Sequence, residues 1–205
     1  MNNQQSIVHI VDDDDAVRDS LTKSLSMEGF TVKDYASALE FLNDYNNQPG
    51  CLIADIQMPK LSGLELQDTL IQRNESIPLI FITGHGNISM SVDAIKSGAI
   101  DFIEKPFSKN DLLKSIRSAL EIDQVNRKDN EKRSKIQERY ELLTAREKEV
   151  MKMLVRDFAK LNNKDIADEL GISKRTVEVH RSSIMSKMLA KTRSQLVELS
   201  KFCSA

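Results

Sequence analysis

The chain has 205 residues, 40% of them hydrophobic, with only 7 Gly and 4 Pro, so it can build two small cored domains and is too apolar for a disordered chain. No apolar run approaches the about 18 residues that cross a bilayer. The first residues carry neither positive charge nor a leader-like apolar core, and two distant cysteines, Cys51 and Cys203, make no disulfide framework; both point to a cytoplasmic protein without a membrane partner. The net charge of −2 conceals an asymmetry: residues 1–124 hold 10 basic and 19 acidic residues (−9), residues 125–205 hold 19 and 12 (+7). An acidic half suits cations or an incoming signal, and a basic half suits nucleic acid, although it could equally be a solvated helical surface.

In chain order, apolar runs predict strands at Ile7–Val11, Thr31–Asp34, Cys51–Ala54, Leu79–Ile82 and Phe102–Glu104. Helical patterns fall between them near Val17–Met27, Ser37–Asn43, Gly63–Arg73 and Ile88–Ser97, and another begins near Lys109. Alternating strands and helices predict βαβ units, right-handed crossovers and a doubly wound α/β domain with a parallel sheet. The charged run Asn126–Arg139 lacks Gly and Pro and predicts a helix continuous with the preceding one; a flexible linker is the alternative. Beyond Glu141 only helical periodicity remains. The expected division is residues 1–122, a linker over 123–139, and an all-α domain over 140–205.

Four aspartates, Asp12 to Asp15, follow the first strand. Such a run either holds a cation or phosphate, or is an acidic turn that caps a helix. Asp12 and Asp13 end the first strand, Asp55 the third, Thr83-Gly84 the fourth and Lys105-Pro106 the fifth. In a doubly wound sheet these strand ends share one edge, where ligands bind. Carboxylates, a hydroxyl and an ammonium together suit phosphoryl transfer to a carboxylate, with Mg²⁺ (or Mn²⁺) on the oxygens. Asp14 and Asp15 then start the following helix, where negative charge is favourable.

The motifs I-V-D-D-D-D-A-V-R, L-I-A-D-I-Q-M-P-K-L-S-G-L-E, T-G-H-G-N-I and G-A-I-D-F-I-E-K-P-F resemble the receiver domain of two-component response regulators over about residues 6–122. The resemblance implies a flavodoxin-like, five-stranded sheet of order 2-1-3-4-5. It implies that Asp55 accepts a phosphoryl group from a sensor histidine kinase. It assigns Mg²⁺ to Asp12, Asp13, Asp55 and the backbone carbonyl of Gln57. Thr83 and Lys105 would meet phosphoryl oxygens, Thr83 and Phe102 would form the switch pair, and Gln57 and His85 would flank the phosphoryl group and tune its lifetime. Lys105-Pro106 matches a bond that is cis in the family. No enzyme is implied beyond Mg²⁺-dependent self-phosphorylation and slow self-dephosphorylation.

In the basic half, Thr144 and Glu147 make a capping box for a helix through about Val155. Asn163–Leu170 reads as a short helix, Gly171 as a turn and Ser173 as the N-cap of a helix from Lys174 to about Leu189. Val177, Ile184 and Met188 share one face of that helix, and Lys174, Arg175, Glu178, Val179, Ser182 and Ser186 take the other: a helix-turn-helix pattern. L-T-A-R-E, N-K-D-I-A-D-E-L-G-I-S and R-T-V-E-V-H-R-S-S-I-M-S-K-M resemble the four-helix, LuxR/FixJ/NarL-type DNA-binding domain; the order receiver, linker and this domain is similar to the architecture of that subfamily, and T-G-H-G with D-F-I-E-K-P-F resembles its FixJ-like branch. By that resemblance Glu178, Val179 and Ser182 face base edges, while Lys164, Lys174, Arg175, Thr176, Arg181 and Lys187 meet phosphates. His180 sits near the packed face. The stretch Arg156–Asn162 is about three residues longer than the family's usual turn and lacks its Gly.

The implied function is a transcription regulator that dimerises on phosphorylation, binds promoter DNA and meets RNA polymerase. Two other readings stay open from the residues. Asp13-Asp14-Asp15-Ala16-Val17 also fits the nucleophile motif of haloacid-dehalogenase-type phosphatases, and the C-terminal domain could bind protein rather than DNA.

Overall fold

The computed structural model describes residues 6–84, 95–156 and 162–203. It divides into two compact units, residues 1–127 and 128–205. In the first, strands β1 (Ile7–Val11), β2 (Thr31–Tyr35), β3 (Gly50–Asp55), β4 (Leu79–Thr83) and β5 (Asp101–Glu104) form one parallel sheet in the order β2-β1-β3-β4-β5. Its helices are α1 (Asp15–Met27), α2 (Ala38–Asp44), α3 (Gly63–Gln72) and the start of α4 (Lys109–Glu141). The helix expected near Ile88–Ser97 falls largely outside the described residues.

Strand alternation sorts the core into two layers. Leu52 and Ala54 of β3 and Leu79 and Phe81 of β4 face α2 and α3, packing on Phe41, Leu66 and Leu70. Cys51 and Ile53, with Ile80 and Ile82, face α1 and α4, packing on Leu25, Leu112 and Ile116. All residues of β3 and β4 are buried, as a central parallel sheet covered on both faces requires. Each such aliphatic side chain contributes about 1.5–3 kcal/mol on burial.

Crowding dictates two glycines. A Cβ on Gly50 would lie 1.9 Å from the Ile7 carbonyl oxygen, on the neighbouring strand. A Cβ on Gly63 would lie 2.3 Å from the Asp55 carbonyl oxygen, so only glycine lets α3 begin against the end of β3.

α4 is one helix of 33 residues, as the charged run predicted, and the division between the units falls inside it. Before that division the Asp123 carboxylate, 3% exposed, accepts from Gly50 N at 2.9 Å. Arg127 pairs with Asp123 at 2.8 Å and donates to the carbonyls of Asn47 (2.9 Å) and Gln48 (2.7 Å).

The second unit adds α5 (Ala145–Arg156), α6 (Asn163–Leu170), α7 (Lys174–Lys187) and α8 (Arg193–Ser200). Ile136 and Tyr140, late in α4, join Val150, Leu154, Ile166, Val177, Ile184, Met188 and Leu196 in its core. Thr144 and Glu147 exchange the two hydrogen bonds of a capping box. Asn162 and Asp165 make a second one at α6, where no cap had been expected. Gly171 ends α6 in the left-handed conformation (φ 64°) and Ser173 caps α7. Most of the long turn after Arg156, residues 157–161, lies outside the described residues.

Candidate functional site: a carboxylate cluster and a helix-turn-helix

The carboxyl edge of the sheet gathers the side chains that the strand ends predicted. Asp12, one residue beyond β1, is 4% exposed; Asp55, the last residue of β3, is 8% exposed; and Thr83, the last of β4, is 1% exposed. Lys105 follows β5, and its Nζ bridges Asp12 Oδ2 at 2.9 Å and Asp55 Oδ1 at 3.2 Å. The other Asp55 oxygen accepts from Gln57 N at 2.6 Å. The Lys105 amide donates to the Thr83 carbonyl at 2.8 Å, which fixes the turn carrying the ammonium. Lys105-Pro106 is cis.

The last two of the four aspartates start the following helix, as expected. Asp14 is the N-cap of α1, accepting from the amides of Ala16 and Val17, and Asp15 opens the helix. Asp12 points inward and accepts from Asp14 N at 2.9 Å, while Asp13 is exposed beside it. Arg18 was missed by sequence reasoning. It is buried, donates to the Asp12 carbonyl at 2.7 Å and pairs with Asp15. Its only signal was an Asp–Arg spacing of three in the first turn of a helix.

Burial pushes the Asp55 carboxyl above the ordinary aspartate range, against the opposing pull of Lys105 and of the Gln57 amide. Burial alone would lower Lys105, but Asp12 and Asp55 outweigh it and raise it. The ammonium therefore stays charged between two carboxylates. Among the described residues no group of three His, Cys, Asp or Glu side chains stands ready to hold a metal by itself. The donors gathered here are all oxygens, and two buried carboxylates carry more negative charge than one ammonium offsets. That donor set fits a hard divalent cation that takes one or two carboxylates and keeps several waters.

Phe102 lies in β5 opposite Phe81, half-buried against the core. Gln57 is exposed. His85 lies outside the described residues.

In the second unit, α7 presents Lys174, Arg175, Glu178 and Ser182 to solvent, with Val179 62% exposed although apolar. The opposite face buries Val177, Ile184 and Met188. Lys164 is exposed on α6. Thr176 is half-buried, its hydroxyl 2.8 Å from that of Ser173. Arg181 reaches Asn163 Oδ1 at 3.4 Å, and His180 is half-buried. Lys187 is committed elsewhere. Its Nζ lies 2.7 Å from Glu147 Oε2, and Ser183 donates to Glu147 Oε1 at 2.6 Å. Glu147 thus ties α5 to α7. Burial alone would raise its carboxyl, but hydrogen bonds from Lys187, Ser183 and Thr144 prevail and hold it at about 2. Arg146 adds a tie, donating to the Leu170 carbonyl at 2.6 Å.

A five-stranded receiver fold with an acidic strand-end cluster, followed by a helix-turn-helix, defines a class of signal-responsive DNA-binding regulators. Residues 8–117 match the response regulator receiver domain family, and residues 141–200 match the bacterial regulatory proteins of the luxR family. Among curated relatives, response regulator protein TmoT of Ectopseudomonas mendocina is 45% identical over 97% of this chain and 90% of its own length. Transcriptional regulatory protein FixJ of Rhizobium meliloti is 45% identical over 94% of this chain and 93% of its own. Among solved structures, response regulator StyR aligns with a TM-score of 0.83 at 40% identity over 96% of this chain and 98% of its own. Full-length FixJ from B. japonicum aligns with a TM-score of 0.58 at 36% identity, covering 98% of each chain. The chain belongs to the response regulators that join a receiver domain to a LuxR-type DNA-binding domain, and phosphorylation-dependent control of transcription is the function of that family.

Proposed function

We propose that Asp55 is the phosphoacceptor through which a sensor histidine kinase controls DNA binding by this chain. The observation that carries the reading is the buried Asp55 carboxylate, bridged to Asp12 by Lys105 at the sheet edge. An Asp55 oxygen forms the new bond to phosphorus as the bond to the donor imidazole nitrogen breaks, and the electron pair leaves with that nitrogen. Lys105 holds the carboxylate in place and stands ready to pair with the arriving anion. Thr83, at the neighbouring strand end, is placed to donate its hydroxyl to a phosphoryl oxygen, and Phe102 is the second member of the switch. Gln57 and His85 flank the group and set its lifetime. Asp12, Asp13, Asp55 and the Gln57 carbonyl are the residues that would hold Mg²⁺. When bound, the cation offsets the charge that builds on the phosphoryl oxygens.

Phosphorylation then favours a homodimer that presents two helix-turn-helix units to two half-sites of promoter DNA, where RNA polymerase is the further partner. On α7, Glu178, Val179 and Ser182 face base edges. Lys164, Lys174, Arg175, Thr176 and Arg181 meet phosphates, which position the protein without specifying sequence. Lys187 reaches a phosphate only by leaving Glu147. The receiver corresponds to residues 1–122, the linker to 123–139 and the output domain to 140–205, in a cytoplasmic protein.

The test is intact mass after incubation with acetyl phosphate and Mg²⁺. The wild type gains one phosphoryl group and Asp55→Asn gains none. Labelling of Asp55→Asn at the wild-type level would remove the assignment.

A further inference from the structure

Resting on the DNA-binding reading, a second feature of residues 128–205 has no part in the helix-turn-helix. Lys128, Lys132, Lys135 and Arg139 occupy positions i, i+4, i+7 and i+11 of α4, hence one face of that helix. The first three are exposed and Arg139 is half-buried. At about 1.5 Å per residue the row is about 16 Å long, and Asp129 and Glu138 fall about 90° to either side of it. Lys135 pairs with Glu131 at 2.5 Å, both side chains more than half exposed, a surface pair that yields readily to a competing anion. Among the described residues Lys128, Lys132 and Arg139 make no ion pair. The row borders a groove of about 370 Å³ with Ile136 and Leu199 at its apolar floor.

Isolated surface lysines alternate with acids on a solvated helix. Here Asp129 and Glu138 are turned aside, Glu131 borders the row and is held by Lys135, and the cations form a line on the helix that feeds its core residues, Ile136 and Tyr140, into the DNA-binding unit. A duplex presents one phosphate per about 3.4 Å of axis on each strand, so a 16 Å row is long enough to follow several of them. We propose that this row is a second, sequence-independent DNA contact, a phosphate rail outside the helix-turn-helix.

The experiment uses the full chain and a mixed-sequence duplex of about 30 base pairs, with affinity measured by anisotropy across about 50–200 mM salt. Each phosphate contact contributes about 0.9 to the slope of log affinity against log salt. The triple variant Lys128→Gln/Lys132→Gln/Lys135→Gln is expected to lower that slope by about 2–3 per protomer. The control Lys23→Gln/Lys60→Gln/Lys114→Gln, which removes as many exposed charges from the receiver, leaves it unchanged. Adding Arg139→Gln lowers it further, and an unchanged circular dichroism melt shows that the triple variant remains folded. If the triple variant keeps the wild-type slope while Arg175→Gln lowers it, the rail is wrong and the helix-turn-helix reading stands. If wild-type binding is indifferent to salt, both fall. A triple variant with wild-type DNA binding and lost promoter activation would assign the row to an acidic protein instead, which also overturns the proposal.

Discussion

Glu147→Gln tests how the recognition helix is held. The carboxylate is 4% exposed and receives hydrogen bonds from Thr144 N, Ser183 Oγ and Lys187 Nζ at 2.6–2.7 Å. In the folded chain it titrates at about 2 rather than 4.5. Because the folded value is depressed, the stability it contributes is fully present above about pH 4.5 and is lost as pH falls towards 2. At about 1.4 kcal/mol per pH unit that difference is about 3 kcal/mol at face value. Lys187 is 32% exposed, so solvent screens part of the attraction, and about 1.5–2 kcal/mol is the better expectation. For a unit of this size the loss lowers the melting temperature by roughly 10 °C. Differential scanning calorimetry of the full chain from pH 7 to pH 3 reads it, with the receiver transition as internal control. The variant should melt early at pH 7 and show a weaker acid dependence below pH 4.5, with Glu131 and Glu141, also lowered by their lysine partners, supplying part of what remains. A variant that melts with the wild type at pH 7, or keeps the wild-type acid slope, would show that the cluster does not carry this energy.

Three further outcomes follow from the receiver. Asp55→Asn should raise the melting temperature of that unit at pH 7, by roughly a few degrees. Burial raises the Asp55 carboxyl, so its ionised form costs stability that grows as pH rises through its folded value; an unchanged or lower melting temperature counts against the electrostatics described here. Gly63→Ala should slow acetyl phosphate labelling at least tenfold, because its Cβ would meet the Asp55 carbonyl oxygen at 2.3 Å and push the end of β3 aside; normal labelling kinetics would show that the loop yields freely. Arg127→Ala should cost the receiver about 3 kcal/mol by leaving the Asp123 carboxylate buried without its ion partner, and denaturant unfolding with no shift in midpoint would contradict that.

Strands and their ends were legible in the sequence because a buried parallel strand is an unbroken apolar run, and its last residues are the ones that reach the ligand edge, whereas the order of the strands came only from the resemblance to receiver domains. Caps at Thr144, Gly171 and Ser173 were legible because each depends on residues at most a few positions apart. What escaped was long-range pairing: Glu147 with Lys187 across 40 residues, Asp123 with Gly50 across 73, and Arg127 with Asn47 across 80. Nothing local marks these residues, since Glu147 reads as a capping residue and Asp123 and Arg127 as part of a charged helix. Lys187, expected to meet a phosphate, has a partner on α5 that its position in the sequence did not announce.

The hold of Glu147 on Lys187 bears on how the +7 of the basic half should be valued. Arg146 is spent on the Leu170 carbonyl, Arg193 on the Leu154 carbonyl and Arg156 on Glu169. Under the proposed DNA reading, Lys187, Arg146 and Arg193 would have to leave these partners before meeting a phosphate, whereas the exposed Arg156–Glu169 pair yields more readily. Formal charge therefore overstates electrostatic reach. If the proposed contacts hold, the cations that can answer to phosphates are the subset left idle by the fold, at the start of α7, on α6 and along α4.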